Sequence, residues 1–481
     1  MKRTLTITAA FLAAMIATGQ TARKFTVNIT PDGAANMQVF IPEKTTGRAI
    51  VDCPGGGYSH LSLQKEGTDW VDYFNGMGIV YGVLTYRMPE GDRTKPTSDA
   101  RNAVKMMRDS AAVWGVNPYD VGIMGFSAGG HLASTTATHA PIEARPNFQI
   151  LFYPVISMEE SATHKGSVSN FLGDSQHDEA IVREYSNDKQ VRRHATPPAI
   201  IILASDDKSV LPLTNSIPYY TAMRKAGVPA AMYIYPSGGH GFGFRTSFKY
   251  HDTMLGELSL WLSTLETPNA DAKRVACIGN SITDGHGLDM ADINSYPAQL
   301  QNILGGGYYV RNFGVSGRTM LNGGDHPYTK ERAWKEAKAF NPDIAVIKLG
   351  TNDSKPVNWD GHGKEYGVNL QQMIDTLSAL PSRPAIFLCT PLKVDMSDSK
   401  EGATQIRDSV ITADIIPIIN EVARKNNLAV IDLNSLIDPT SDQMQQDGIH
   451  PTAKGARAMA EAVAKEISGS ARRSANLPAG Q

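Results

Sequence analysis

Twice along this chain, short apolar runs alternate with amphipathic segments, the second series beginning after a polar break. Between residues 46 and 265 the runs are RAIVDC, GIVYGVLTY, VGIMGF, FQILFYPV, AIIILAS and AAMYIYP. Between them, SDARNAVKMMRDSAAVWG and NSIPYYTAMRKAG space their apolar residues as helices do. Strand and helix in alternation specify a mostly parallel sheet with helices packed on its faces. Residues 24–42, FTVNI and MQVFIP around the turn PDG, read as an antiparallel hairpin at the sheet edge. HDTMLGELSLWLSTLE reads as the closing helix. The polar, Pro-bearing TPNADAK then interrupts the pattern. It resumes with KRVACIG, YYVRNFG, DIAVIKLG, AIFLCTP and LAVIDL. This predicts an α/β unit over 23–266, a linker at 267–273 and a second, parallel-sheet α/β unit over 274–469. Residues 470–481 show no apolar pattern and are expected to be a disordered tail.

The N-terminus carries a separate signal. Lys2 and Arg3 precede LTITAAFLAAMIA, which ends in the small, polar TGQTA. That order predicts a secretory signal peptide over 1–22, and hence export to the periplasm or beyond. The run is too short to span a bilayer, and no later segment reaches about 18 consecutive apolar residues. A net charge of −2 over 481 residues leaves no electrostatic footprint for nucleic acid. Cys53, Cys277 and Cys389 each close an apolar run, so they read as small buried hydrophobes. Histidines are scattered without H-E-x-x-H, and no C-x-x-C occurs, so neither metal nor cofactor is expected.

Two stretches carry chemistry. GFSAG at 125–129 lies between the strand-like VGIM and the helix-compatible SAGGHLASTTAT. A strand-to-helix turn that sharp lifts a serine oxygen clear of the sheet, making Ser127 a candidate nucleophile. CPGGGY at 53–58 follows a strand and can aim backbone N–H groups at an acyl oxygen. Gly56, Gly57 and the amide of Ala128 are the expected oxyanion donors. AIIILASDDKSVLP supplies the acid, Asp207 or its neighbour Asp206, with Asp207 favoured. YIYPSGGHGFGF supplies the base, His240, in a glycine-rich loop. His131, one helical turn past Ser127, is expected to pack beneath it, and His60 reads as a substrate contact or a surface residue.

The second stretch is CIGNSITDG at 277–285, where Ser281 follows its strand directly. Three more blocks follow it: NFGVSGRT, GTND and DGIHP. Ser281 is the expected nucleophile, and its own N–H, that of Gly317 and the Asn352 amide are the oxyanion donors. Asp447 and His450 place acid and base on one short loop.

The first unit resembles the α/β-hydrolase esterases grouped with acetylxylan and feruloyl esterases, through CPGGGY, TYRMP, NPYDVGIMGFSAGGHLAS and YPSGGHGFG. The second resembles the GDSL/SGNH hydrolases, a flavodoxin-like fold, over about 273–468. VACIGNSITDG, NFGVSGRTML and IKLGTNDSKPVNW bring it near the sialate-esterase-like carbohydrate esterases. That resemblance implies the four roles for Ser281, Gly317, Asn352 and His450, with Asp447 completing a triad. Asn280 stands where many relatives have Asp, and Pro54 where lipase-like relatives often have His. Together the resemblances imply a secreted bifunctional carbohydrate esterase acting on acetylated plant polysaccharide, acetylxylan or its oligosaccharides. Tyr58, Trp359 and Tyr153 are aromatic candidates for stacking on sugar rings, with Tyr153 read rather as core. Alternative readings are a sialate O-acetylesterase or feruloyl esterase, or one domain serving as a carbohydrate-binding module.

Overall fold

The computed structural model describes residues 22–159, 163–395, 402 and 404–475. The expected signal peptide, Ala22 apart, therefore lies outside the described residues. Among the described residues thirteen strands form two sheets. In the first, β1 (Arg23–Asn28) and β2 (Asn36–Ile41) make the expected hairpin at the edge. β3 (Ala49–Cys53), β4 (Val80–Thr85), β5 (Val121–Phe126), β6 (Gln149–Phe152), β7 (Ala199–Ala204) and β8 (Ala230–Tyr235) complete it. The order is β1-β2-β4-β3-β5-β6-β7-β8, and every pairing from β4 onward is parallel. β3, β5, β6 and β7 are buried along their whole length. This is why they read as unbroken apolar runs rather than as alternating ones.

The second sheet is wholly parallel, in the order β10-β9-β11-β12-β13. Its strands are β9 (Lys273–Gly279), β10 (Tyr308–Gly314), β11 (Ile344–Lys348), β12 (Ala385–Cys389) and β13 (Ala429–Ile431). Apolar layers form on both faces of it. All three cysteines are buried and unbridged. The last helix runs Ala453–Ala475, past the 470 boundary at which a tail was expected. SGSARRSA holds no proline and is rich in Ala and Arg, good helix formers, so the helix continues without an apolar stripe. Residues 476–481 lie outside the described residues.

The segment expected to be a linker is pinned on both sides. Asn117 Nδ2 donates to the Pro268 carbonyl at 2.7 Å, and the Asn269 N–H to Gly306 at 2.7 Å. Beyond it, the units meet through charge. Glu336 takes Arg145 at 2.8 Å and Arg192 at 2.9 Å. Burial acts to raise the Glu336 carboxyl, but the two guanidiniums hold it down to about 2. On the first unit the contact residues Tyr119, Arg145, Asn147 and Arg192 precede β5, β6 and β7. They therefore lie at the N-terminal ends of those parallel strands. Ser127, Asp207 and His240 follow the C-terminal ends of β5, β7 and β8. The second unit thus docks at the end of the sheet opposite Ser127.

Candidate active sites

Ser127 joins β5 to the helix Ala128–His139 with φ 53° and ψ −118°, a conformation that non-glycine residues avoid. The turn closes because its flanking glycines lack Cβ. A Cβ at Gly125 would lie 2.2 Å from the Gly129 carbonyl oxygen, and one at Gly129 1.9 Å from that of Cys53. Ser127 Oγ is 2.8 Å from His240 Nε2, and His240 Nδ1 is 2.7 Å from Asp207 Oδ2. Asp207 Oδ1 accepts the N–H groups of Ser209 and Val210 at 2.8 and 2.9 Å, and the side chain is sealed from solvent. Asp206 points elsewhere: its Oδ1 accepts the Gly239 N–H at 2.8 Å and ties down the loop that carries His240. Of the two aspartates, Asp207 is the one that meets the imidazole.

The glycine loop lies against the serine, since a Cβ at Gly55 would sit 3.1 Å from that of Ser127. Gly56 and Gly57 have positive φ, 138° and 62°. Ala128 opens its helix, so its N–H has no intrahelical acceptor and is available to an oxyanion. Sequence reasoning missed the brace beneath this loop. Glu66 accepts the Gly55 N–H at 3.0 Å with one oxygen and the Tyr153 hydroxyl at 3.0 Å with the other. The Tyr153 oxygen accepts the Gly243 N–H at 3.0 Å, and its ring meets His240 edge-on with centroids 4.8 Å apart. Tyr153 is core, as expected. Tyr58 is not available to sugar. It is buried, and its hydroxyl bonds His131 Nδ1 at 2.8 Å while His131 Nε2 donates to the Tyr185 carbonyl at 2.8 Å. Burial pushes His131 down to about 4, which fits a neutral packing residue. His60 is exposed.

In the second unit Ser281 opens a single helical turn, Ser281–Asp284, directly after β9. Asn280 caps that turn, its Oδ1 accepting the Ile282 N–H at 3.2 Å. Ser281 Oγ is 2.8 Å from His450 Nε2, and His450 Nδ1 is 2.5 Å from Asp447 Oδ2. Asp447 Oδ1 accepts the N–H groups of Ile449 and His450 at 2.9 and 3.0 Å, so acid and base share one four-residue turn. Burial is the largest influence on His450 and holds it below the ordinary histidine value, against the raising effect of Asp447. Burial also acts to raise Asp447, but the backbone and imidazole hydrogen bonds outweigh it and leave the carboxyl low. The His286 ring lies 4.8 Å from that of His450.

Gly317 sits at φ 81° with open space where a Cβ would be. Asn352 spends one amide hydrogen on the Arg318 carbonyl at 3.2 Å, and its own carbonyl is held by Asn358 at 2.8 Å. Among the described residues the other amide hydrogen has no acceptor, which leaves it for an oxyanion. Asp353, in the same GTND block, is buried and accepts the Met320 and Leu321 N–H groups at 3.1 and 2.8 Å. It fastens the loop that presents Gly317, and burial pushes its carboxyl up to about 6. Lys348 is also buried, its Nζ 3.2 Å from Thr351 Oγ1, and burial brings it down to about 7. Trp359 is half-buried against Tyr366, 6.0 Å between ring centroids. Among the described residues no group of three His, Cys, Asp or Glu side chains is placed to hold a metal, and no helix is long and apolar enough to cross a membrane.

Comparison with known proteins agrees with this division. Residues 50–244 match the alpha/beta hydrolase fold family, and residues 277–458 the GDSL-like Lipase/Acylhydrolase family. An acetylxylan esterase of Xylanibacter ruminicola is 52% identical over 97% of this chain and 100% of its own length. Endo-1,4-beta-xylanase B of Butyrivibrio fibrisolvens is 34% identical over 39% of this chain and 31% of its own. Among solved structures, an acetyl ester-xyloside bifunctional hydrolase from Caldicellulosiruptor lactoaceticus has a TM-score of 0.47 at 29% identity, covering 51% of this chain and 98% of that one.

Proposed function

This chain belongs to the acetylxylan esterase family, as a carboxylic ester hydrolase that joins an α/β-hydrolase domain to a GDSL-like domain, and from that premise we propose that it removes O-acetyl groups from acetylated xylan or its fragments at two independent serine sites. The observation that carries the proposal is the paired geometry: two serine oxygens, each 2.8 Å from the Nε2 of a histidine whose Nδ1 meets an aspartate. At each site the imidazole takes the serine proton as Oγ attacks the acetyl carbonyl, and the aspartate holds the tautomer and stabilises the imidazolium. The tetrahedral oxyanion is met by Gly56, Gly57 and Ala128 at the first site, and by Ser281, Gly317 and Asn352 at the second. The imidazolium then protonates the departing sugar oxygen, and a water molecule, deprotonated by the same histidine, releases acetate from the acyl-enzyme. Domains 23–266 and 274–469 each supply one site, and residues 1–22 direct export. The docking of the second unit at the end of the first sheet opposite Ser127 supports two separate mouths.

The test is acetate release from acetylated xylo-oligosaccharides by the wild type, Ser127→Ala, Ser281→Ala and the double variant. NMR reads which sugar positions lose acetyl. Each single variant should spare a different set of positions, and the double variant should be inert. Full activity in the double variant would overturn both assignments. Loss of all release in one single variant would leave the other domain as a binding module or an esterase for another ester.

A further inference from the structure

The helical turn that begins at Ser281 is gripped at its far end by the first domain. Arg193 Nη2 donates to the carbonyl oxygens of Asp284 and Gly285 at 3.0 and 3.2 Å, and its Nε lies 3.1 Å from Asp284 Oδ1. His194 Nε2 is 2.8 Å from the same Oδ1 and 3.1 Å from the Asp284 carbonyl oxygen. The other carboxylate oxygen, Oδ2, accepts Ser316 Oγ at 2.5 Å, one residue before Gly317. One buried side chain therefore joins three things: the turn headed by Ser281, the loop presenting Gly317, and a loop of the other domain.

The first domain is strained to make this contact. His194 has φ 59°, a left-handed conformation unfavourable for a residue with a Cβ. Its carbonyl is held by Arg311 of the second domain at 3.0 Å while its ring reaches Asp284, so both ends of the residue are fixed by the other unit. Simple adhesion is already provided by the Glu336 cluster and the pinned linker. The strained residue instead bears on the two elements whose separation determines whether a nucleophile and its oxyanion donor face one carbonyl.

We propose that Arg193 and His194 are positioning residues for the second site, so that the first domain completes the machinery around Ser281 as well as holding its own. This rests on the reading of Ser281 as an esterase nucleophile. The dependence runs one way, because this loop precedes β7 and lies at the opposite end of the sheet from Ser127. Misplacing a nucleophile or an oxyanion donor by about 1 Å costs roughly 100-fold in rate. The loss falls on kcat, since the oxyanion contact is made only in the transition state.

The experiment uses full-length protein in two backgrounds. Ser127→Ala leaves only the second site to release acetate, and Ser281→Ala leaves only the first. In the Ser127→Ala chain, Arg193→Ala and His194→Ala should each lower kcat roughly 10- to 100-fold, with KM moved less than about twofold. His194→Gln keeps an N–H donor near the Nε2 position and should recover most of the rate. In the Ser281→Ala chain the same substitutions should leave kcat unchanged, which also shows that the protein folds. Unchanged second-site kcat in the Arg193→Ala, His194→Ala double variant would overturn the proposal alone. So would a loss that His194→Gln does not restore. A Ser127→Ala chain with no esterase activity would overturn the reading of Ser281 and the proposal with it.

Discussion

Asp207 is sealed from solvent, whereas Asp447 leaves 42% of its side chain in water, although each meets an imidazole and each accepts two backbone N–H groups. The difference follows from where each acid sits in the chain. Asp207 and His240 come from turns after different strands, β7 and β8, so burial and packing must bring them together. Asp447 and His450 belong to one turn, whose own hydrogen bonds fix the pair without a protein wall around the carboxylate. A carboxylate in a dry site acts on its imidazole with little screening, while one in contact with water acts more weakly. On the proposed mechanism both acids hold tautomer and aim, and the charge of the acid should count for more at the first site.

Replacing the acids separates these roles, and this is the largest expected effect. Asp207→Asn, measured with Ser281→Ala, should lower kcat by about 10⁴, the loss seen when an amide in place of a triad aspartate leaves the imidazole in the wrong tautomer. Asp447→Asn, measured with Ser127→Ala, should cost less, because the tautomer is lost at both sites but the charge lost at the second is screened by water. Second-site activity should also fall with added salt more than first-site activity does. Equal losses at both sites would show that exposure of the carboxylate does not matter.

The braces come next. Glu66→Gln leaves one oxygen to serve both the Gly55 N–H and the Tyr153 hydroxyl, and should lower first-site kcat about 10-fold. Asp353→Asn forfeits one of the two carboxylate oxygens that accept buried backbone N–H groups beneath Gly317, with a similar loss at the second site and roughly 1–3 kcal/mol of stability, read as a shift in Tm. Each change should spare the other site. A loss at both would mean that the sheets transmit strain across the domain contact.

These braces also mark the limit of what the chain displayed as letters. Strand runs, the turn around Ser127 and the turn that joins Asp447 to His450 are local, so spacing alone carried them. Glu66 comes 61 residues before Ser127, in a segment without periodicity, and acts on the glycine loop only through folding. Asp353 stands in the open inside GTND, but its neighbour Asn352 has the side-chain donor that an oxyanion needs, so the motif points to Asn352. A tyrosine beside a glycine loop looks like a sugar platform, and nothing local to Tyr58 announces that its hydroxyl is taken by His131. Arg193 and His194 give no sequence signal at all, since their partner belongs to another domain.

pH probes the second site as well. On the proposed mechanism the second site needs a neutral His450, so its activity should fall as pH drops through the folded value. Burial has set that value below the ordinary 6.5 or so, so the acid limb of kcat/KM in the Ser127→Ala chain should lie below pH 6.5. Asp447→Asn removes a group that raises His450, and the limb should move lower still. A limb that moved upward would show that Asp447 does not act on His450 through its charge.

The smallest effect on rate concerns a buried cation beside the second site. The first site is braced by an anion, Glu66, which accepts two hydrogen bonds. The second has a cation, Lys348, which reaches Thr351 Oγ1 at 3.2 Å and Asn280 Oδ1 at 3.5 Å and pairs with no carboxylate among the described residues. Asn280 Nδ2 is itself buried without a partner. Lys348 is held near 7 in the folded chain against about 10.4 when unfolded, so the unfolded state binds more protons between those values. Stability should therefore rise as pH climbs from about 7 towards 10, and Lys348 should add no further pH dependence once the pH is well below 7. Asn280→Asp replaces the unpartnered donor with a counter-ion, and should add roughly 1–3 kcal/mol at pH 7, the scale of one unpaired buried polar group. It should also flatten the alkaline rise, with second-site kcat little changed because the capping oxygen for Ile282 remains. A chain made less stable by Asn280→Asp would mean that Lys348 is already neutral at pH 7, and that burying a lone carboxylate beside it costs more than the removed donor did.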